Sequence, residues 1–334
     1  MNEGDDSRLP EGTLAWVLGS GKIGHEIHCL GLARALGLEP LMRQVRPRAP
    51  FAALAPWGPI DPRDAPHRDK SPLAPPFPDI ALAAGRWTIP YLRRLKKASG
   101  GRVFTICLQD PRIGTRAADM IWVPEHDTLR GDNVCVTLTS PHGLRPHLMA
   151  TARINPDPRI AALQSPRVAL VLGGPSAHHR YEAGDVEAIV RIATDLVRGG
   201  ASVMATPSRR TPPQLMQALR KALGKLPSRA QRAFVWDGSG DNPYLQILAN
   251  ADAVVVTADS ANMMGEAMAT TGPVLVYEPS GGHPKMTAFL ERLIAGGHVR
   301  RWRGGLESWR RQPIDATADI AAEAAHRYRI FRGG

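Results

Sequence analysis

Residues 252–276, from Asp252 to Val276, constrain the fold of this chain more than any other stretch. The uninterrupted apolar run Ala253–Val256 has the length and β-branched content of a strand buried on both faces. It stops at Thr257, a helix opens at Asp259 or Ser260, and Gly272-Pro273 launches a second apolar run. Strand, helix and strand in that order make a parallel βαβ unit. Its short strand-to-helix connection brings unpaired backbone N–H groups and the positive end of the helix dipole to the carboxyl edge of the sheet, where phosphate is readily held. Asn262 and Glu266, four residues apart, share one helix face near that opening. A carboxylate there repels phosphate but accepts hydrogen bonds from a ribose diol. Asp259, Ser260, Asn262 and Glu266 therefore read as a sugar-nucleotide site, against the plainer reading of Ser260 as an N-cap and Glu266 as a surface carboxylate.

Apolar runs alternate with helical patterns through both halves of the 334-residue chain, which implies parallel sheets covered by helices. The first half yields strands at Leu14–Leu18, Leu41–Val45, Ile80–Ala83, Val103–Leu108, Met120–Val123 and Val134–Leu138, with helices near Gly24–Leu36 and Thr88–Ala98. The second yields strands at Val168–Leu172, Ser202–Thr206, Ala233–Trp236, Ala253–Val256 and Val274–Tyr277. Helices are expected near Ala183–Val197, Pro213–Leu223, Pro243–Leu248 and Ser260–Thr270. Proline-rich Arg46–Pro78 reads as a long surface loop without regular elements, and Arg145–Pro166 as a linker. The expected fold class is α/β, with two doubly wound Rossmann-like domains facing a cleft and ligands at the carboxyl edges of both sheets. Domain 1 takes residues 1–150 on the acceptor side and domain 2 residues 151–312 for the nucleotide sugar. Residues 313–334 supply a final helix packing back on the domains.

Composition narrows the partners. A net charge of +11 points to an anionic partner: a nucleotide, an anionic membrane surface or nucleic acid. With 5% aromatic residues and no ribonucleoprotein or zinc-finger spacing, nucleic acid is the partner set aside. Three widely spaced cysteines, Cys29, Cys107 and Cys135, make neither a disulfide framework nor a metal spacing. They imply a reducing, cytoplasmic compartment. Polar Met1–Pro10 is no signal peptide, and no apolar run is long enough to span a bilayer, so the expectation is a soluble protein or one peripheral at the inner face of the membrane.

Further candidates lie at the other strand ends. Gly19-Ser-Gly-Lys-Ile-Gly24 has dinucleotide-fingerprint spacing between strand and helix, but the next strand ends Arg43-Gln-Val-Arg46, without the acidic residue that binds an adenosine ribose. Only NADP would suit that ending. On the helical wheel His25 lines up with Cys29, Leu32 and Leu36, the stripe facing the sheet, which hangs its imidazole over the carboxyl edge as a candidate base. Glu26 is its neighbour, and Gly21, Lys22 and Gly24 form the loop before it. Asp110, Arg112 and His126 supply polar groups at the opposite rim. In the second domain, Gly173, Gly174 and Ser176 end one strand, while Ser208, Arg209 and Arg210 end the next; glycines admit close backbone approach and arginines fork onto a diphosphate. Asn242-Pro243 reads as an N-cap and first-turn proline. No cluster completes a metal shell, so no metal is expected.

Several of these segments resemble the plant elongated-mitochondria fission-factor family and its bacterial members over about residues 13–295. They are Gly-Lys-Ile-Gly-His-Glu (21–26), Gly-Leu-Ala-Arg-Ala-Leu-Gly-Leu (31–38), Gln-Asp-Pro-Arg (109–112), Pro-Glu-His-Asp (124–127) and Gly-Asp-Asn-Val (131–134). Ser-Arg-Arg-Thr-Pro (208–212), Asn-Pro-Tyr (242–244), Thr-Ala-Asp-Ser-Ala-Asn-Met (257–263) and Glu-Ala (266–267) complete the set. Bacterial members are described as glycosyltransferases or nucleoside-diphosphate-sugar enzymes, the plant protein as recruiting a dynamin-related GTPase. More distantly the layout is similar to GT-B glycosyltransferases, including the peptidoglycan enzyme that adds N-acetylglucosamine to a lipid intermediate. The resemblance implies sugar transfer from a nucleoside-diphosphate donor, used as substrate with no cofactor, to an envelope glycan or lipid acceptor. His25 stands on the acceptor side and Glu266 in the donor site. A sugar-nucleotide epimerase and a non-catalytic recruitment protein are the alternatives. The chain departs from the GT-B pattern in having Asp259-Ser260-Ala261 for a glycine-rich turn, and in its proline-rich loop.

Overall fold

The structure, a computed structural model, describes residues 7–227 and 232–333. The first six residues of the polar opening stretch and the last residue of the expected C-terminal segment lie outside them. The chain divides into two compact units, residues 1–143 with 316–334 and residues 144–315.

Unit 1 is a six-stranded parallel sheet in the order β2-β1-β3-β4-β5-β6. Its strands are β1 (Ala15–Gly19), β2 (Leu41–Gln44), β3 (Ile80–Ala83), β4 (Phe104–Leu108), β5 (Met120–Pro124) and β6 (Val134–Thr137). Central strands β1, β3 and β4 are buried at every position, as continuous apolar runs covered on both faces must be. One face carries the helix Ile23–Ala35 through Cys29, Leu32 and Ala33, together with the final helix Thr317–Gly333 through Ile320, Ala321, Ala324 and Tyr328. Phe104 meets Tyr328 edge to face at 5.7 Å, so the C-terminal helix is an integral layer of this unit. The other face carries the helix Ile89–Ala98 through Tyr91, Leu92 and Leu95.

Unit 2 is also a six-stranded parallel sheet, in the order β12-β11-β10-β7-β8-β9. The strands are β7 (Arg167–Leu172), β8 (Ser202–Pro207), β9 (Ala233–Val235), β10 (Ala253–Thr257), β11 (Val274–Tyr277) and β12 (Arg300–Arg301). Counted within the unit, this is the strand order of the dinucleotide-binding fold. The helices Ala183–Arg198 and Pro213–Gly224 cover one face with Ile189, Ile192, Leu215 and Leu219.

In an open parallel sheet, ligands bind outside the carboxyl ends of the strands where the winding reverses. In unit 1 the reversal lies between β1 and β3; in unit 2 it lies between β7 and β10. Those edges carry Gly19–His25 and Gly85–Trp87 in the first unit, and Gly173-Gly174 and Asp259-Ser260 in the second.

Several expectations need correction. The stretch expected as linker, Arg145–Pro166, holds the helices Pro146–Ile154 and Pro158–Ala161 and belongs to unit 2. Proline sits in the first turn of each, where its missing N–H costs nothing. The loop 46–78 holds a helical turn, Phe51–Leu54, and a 3-10 turn, Pro62–Asp64. Helix Pro284–Ala295 and strand β12 were not expected at all.

Candidate functional site

At the unit 1 reversal, β1 runs out through Ser20 and Gly21 into the helix Ile23–Ala35. Gly21 has φ +77, a conformation open to glycine at little cost. Ser20, Lys22 and His25 line a cavity of about 180 Å³ with Gly85, Arg86 and Trp87 from the end of β3. A Cβ on Gly85 would fall 2.4 Å from His25 Nδ1, so the missing side chain is what lets the imidazole lie over the strand end. Nδ1 is buried without a hydrogen-bond partner. Burial, reinforced by the Lys22 ammonium, holds the imidazole below its ordinary pKa and therefore neutral at pH 7. A neutral, partly desolvated imidazole in a small polar cavity can accept a proton from a hydroxyl.

Glu26, the other candidate catalyst, is committed elsewhere. Its Oε1 accepts from the Gly21 amide at 2.9 Å and from Gln44 Nε2 at 3.0 Å, and a Cβ on Gly19 would lie 2.5 Å from it. It closes the glycine loop onto β2 and does not line the cavity. The same contact takes up a loop amide that a cofactor pyrophosphate would need, which weakens the NADP reading further. Gly24 is within the helix. Asp110, Arg112 and His126 do not line the cavity either. Asp110 Oδ1 caps its own turn by accepting from the Arg112 amide at 2.7 Å. His126 lies in a loop held by Arg130, which donates to the Asp127 carbonyl at 2.6 Å and the Glu125 carbonyl at 3.2 Å.

At the unit 2 reversal the expected donor residues fall into two groups. Gly173, Gly174, Arg210 and Asp259 form a closed knot. The Gly173 amide donates to Thr257 Oγ1 at 2.8 Å and the Gly174 amide to Asp259 Oδ2 at 2.9 Å. Arg210 donates to the Gly174 carbonyl at 2.7 Å, the Pro175 carbonyl at 2.9 Å and Asp259 Oδ2 at 2.9 Å. The glycines are required by packing: a Cβ would lie 2.1 Å from Asp259 Oδ2 at Gly173 and 2.1 Å from the Arg210 carbonyl oxygen at Gly174. Ser176 and Ser208 stabilise their own turns, Ser176 accepting from the His179 amide at 3.0 Å and Ser208 from the Arg210 amide at 3.2 Å. Both glycine amides expected at a diphosphate are thus already bonded within the chain.

The second group lies outside this knot. Ser260 caps the helix Ala261–Met268, its hydroxyl accepting from the Met263 amide at 3.4 Å. Arg209 is exposed and Asn262 half-buried, and neither side chain has a hydrogen-bond partner among the described residues. One turn on, Glu266 Oε2 accepts from the Tyr244 hydroxyl at 2.6 Å. Burial pushes the Glu266 carboxyl up to about 7, although the Tyr244 bond acts in the opposite direction. Tyr244 opens the helix Tyr244–Ala249, where its amide donates to Asn242 Oδ1 at 3.0 Å. Sequence reasoning used Asn242-Pro243 as a helix start and passed over Tyr244; the motif Asn-Pro-Tyr was the available signal. Among the described residues, no group of side chains is arranged to hold a metal ion, and no helix is long and apolar enough to cross a membrane.

Comparison with known proteins fits this architecture. The glycotransferase of kitacinnamycin superposes with a TM-score of 0.52 at 16% identity, over 97% of this chain and 95% of that one, a likeness of fold. The fold is accordingly GT-B-like, built from two Rossmann-like domains. The mitochondrial fission protein ELM1 of Arabidopsis thaliana is 26% identical over 384 residues, 92% of this chain and 89% of the plant protein. An uncharacterized protein of Rickettsia prowazekii (strain Madrid E) is 30% identical over 122 residues, 34% of this chain and 33% of that protein. Most decisively, the family described as Mitochondrial fission ELM1 matches residues 23–328, and the chain belongs to that family.

Proposed function

We propose that the chain transfers a sugar from a nucleoside diphosphate to a hydroxyl acceptor, an envelope glycan or lipid. The observation that carries this reading is Glu266, a carboxyl held by Tyr244 on the helix that opens at the Ser260 cap, at the reversal point of a sheet with dinucleotide-fold order. The ribose diol donates to Glu266, which Tyr244 holds in place. The acceptor oxygen attacks the anomeric carbon, the bond from that carbon to the phosphate oxygen breaks, and the acceptor proton passes to a general base, for which the neutral imidazole of His25 in unit 1 is the candidate. The opening turn of the helix at Ser260 and the guanidinium of Arg209 meet the charge growing on the departing diphosphate, so the step requires neither a metal nor a cofactor.

One observation favours a second reading, that of a recruitment protein without turnover: the amides of Gly21, Gly173 and Gly174 are all bonded within the chain. A thermal-shift screen of UDP, GDP and ADP separates the two. Donor binding predicts a rise in melting temperature with one diphosphate that disappears in Glu266→Ala. No rise with any of them, in a folded wild-type protein, overturns the transferase reading in favour of recruitment.

A further inference from the structure

The second unit gathers three strong hydrogen-bond donors around one buried anion, and that anion belongs to the chain. The Asp259 side chain has no solvent exposure. Its Oδ2 accepts from the Gly174 amide at 2.9 Å and from Arg210 Nη2 at 2.9 Å, and its Oδ1 accepts from the Tyr181 hydroxyl at 2.7 Å. A backbone amide after a glycine turn, a guanidinium and a hydroxyl converging on one pair of oxygens is the donor set that a phosphate takes. The cradle lies where the sheet's winding reverses, the expected place for a ligand. Arg210 is not sealed in: its side chain remains 42% exposed, so an anion arriving from solvent meets the guanidinium first.

We propose that Asp259 is a resident substitute for phosphate, holding the cradle of Gly174, Tyr181 and Arg210 in the free protein and yielding it to the diphosphate of an incoming nucleotide. This deepens the donor reading above and rests on it for the identity of the natural ligand. An empty cradle would leave the buried Gly174 amide unpaired, which is unfavourable. A carboxylate from the adjoining loop satisfies the donors with charge of the same sign and the same kind of acceptor. The exchange then swaps one anion for another and keeps the donors paired throughout. Asp259 directly precedes the Ser260 cap, so its departure moves the loop that opens the helix carrying Asn262 and Glu266. Diphosphate capture and the placement of the ribose-binding carboxyl are coupled through that loop.

Because the ligand must displace an intramolecular competitor, its apparent affinity is reduced by the fraction of molecules in which the cradle is open. The probe is inorganic pyrophosphate, titrated calorimetrically into full-length wild type, Asp259→Ala and Asp259→Ala/Arg210→Ala. Asp259→Ala should bind pyrophosphate at least tenfold more tightly than wild type, and the double variant should lose that gain. Asp259→Ala should also melt lower than wild type in pyrophosphate-free buffer and recover more on adding it. Asp259→Asn, which removes the charge and keeps an acceptor oxygen, should bind several-fold more tightly than wild type and serves if the alanine variant does not fold. Binding no tighter in either folded variant, or a gain that survives loss of Arg210, overturns the proposal. Pyrophosphate has no ribose, so the gain is independent of Glu266. A gain without nucleotide binding by any variant keeps the cradle and overturns the donor reading, whereas Glu266-dependent nucleotide binding without the gain does the reverse.

Discussion

Tyr244 donates its hydroxyl hydrogen to Glu266 Oε2 at 2.6 Å, joining the helix Tyr244–Ala249 to the helix Ala261–Met268 across 22 residues of sequence. Burial raises both groups, the Glu266 carboxyl to about 7 and the Tyr244 phenol well above its usual value. Burial prevails over the hydrogen bond because one phenol replaces only part of the hydration that an ionised carboxylate loses.

A carboxyl that titrates near 4.5 unfolded and about 7 folded leaves the folded protein holding the extra proton between those values. Stability from this group is therefore lost as pH rises from 4.5 to 7, by about 3 kcal/mol as an upper bound. In urea titrations across that range Glu266→Gln should show a flatter dependence than wild type and exceed it in stability at pH 8. Parallel pH profiles for the two proteins would refute the assignment.

The same carboxyl sets how nucleotide binding responds to pH. A ribose diol donates best to the ionised form, which predominates only above about 7. Calorimetry with the nucleoside diphosphate that passes the thermal screen should give several-fold tighter binding at pH 8 than at pH 6. Glu266→Gln should bind weakly at both. An affinity that falls with rising pH in the wild type would show that Glu266 meets the ligand as a neutral donor instead.

Gly173→Ala tests the packing of the knot. The new Cβ would stand 2.1 Å from Asp259 Oδ2, and the carboxylate cannot retreat without leaving Arg210 and Tyr181. The expected destabilisation is about 2–4 kcal/mol. Gly184→Ala is the control: it lies in the first turn of helix Ala183–Arg198 with nothing within 4 Å of a Cβ, and should be neutral or stabilising. Equal denaturation midpoints for the two variants would contradict the geometry.

His25 offers a measurement independent of turnover. Burial is the larger cause of its lowered pKa and the Lys22 charge the second. Removing Lys22 should therefore raise the imidazole pKa toward its ordinary value, read from its proton chemical shift during titration. An imidazole whose pKa is lower in the folded than in the unfolded chain takes up its proton less readily when folded, so stability falls as pH drops below 6.5. If His25 is the base, the acidic limb of the transfer rate should move with the same value in Lys22→Ala.

The strands were legible because their signal is local. Ile80–Ala83 and Val274–Tyr277 appear at the same residues in sequence and structure, since a short apolar run, closed by Asp79 and Gly85 in the first case and by Pro273 and Glu278 in the second, describes a covered parallel strand by itself. The order in 46–78 was not legible, because it depends on partners outside any pattern. Buried Asp61 is gripped by Arg48 at 2.8 and 2.9 Å, and Trp87 reaches the Ala52 carbonyl at 3.2 Å from 35 residues away. Proline misled the reading of 145–166, where Pro146 and Pro158 begin helices instead of barring them. The role of Asp259 was hidden by distance along the chain. Its partners Gly174, Tyr181 and Arg210 lie 85, 78 and 49 positions away, and a carboxylate beside a glycine turn looks like a ligand group until its own ligands are seen.

Arg311 supplies the last prediction. Its guanidinium donates to the carbonyls of Met268 at 2.8 Å, Thr270 at 2.7 Å and Gly272 at 2.7 Å, and to Thr270 Oγ1 at 2.9 Å. Among the described residues it has no carboxylate partner; burial lowers its pKa to about 10, still charged at pH 7. The charge is tolerated because it sits at the negative end of the helix Ala261–Met268 and satisfies carbonyls that a helix terminus leaves unpaired. Lysine carries the charge but not the planar fork, and cannot reach several acceptors at once. Arg311→Lys should therefore destabilise the protein by about 1–3 kcal/mol and Arg311→Ala by more, through carbonyls left buried and unpaired. Because this helix carries Ser260, Asn262 and Glu266, the lysine variant should also weaken nucleotide binding while leaving the His25 titration unchanged. Loss of both together would mean that Arg311 supports the whole chain instead of this helix end, and undiminished stability in Arg311→Ala would show that the carbonyls find other donors.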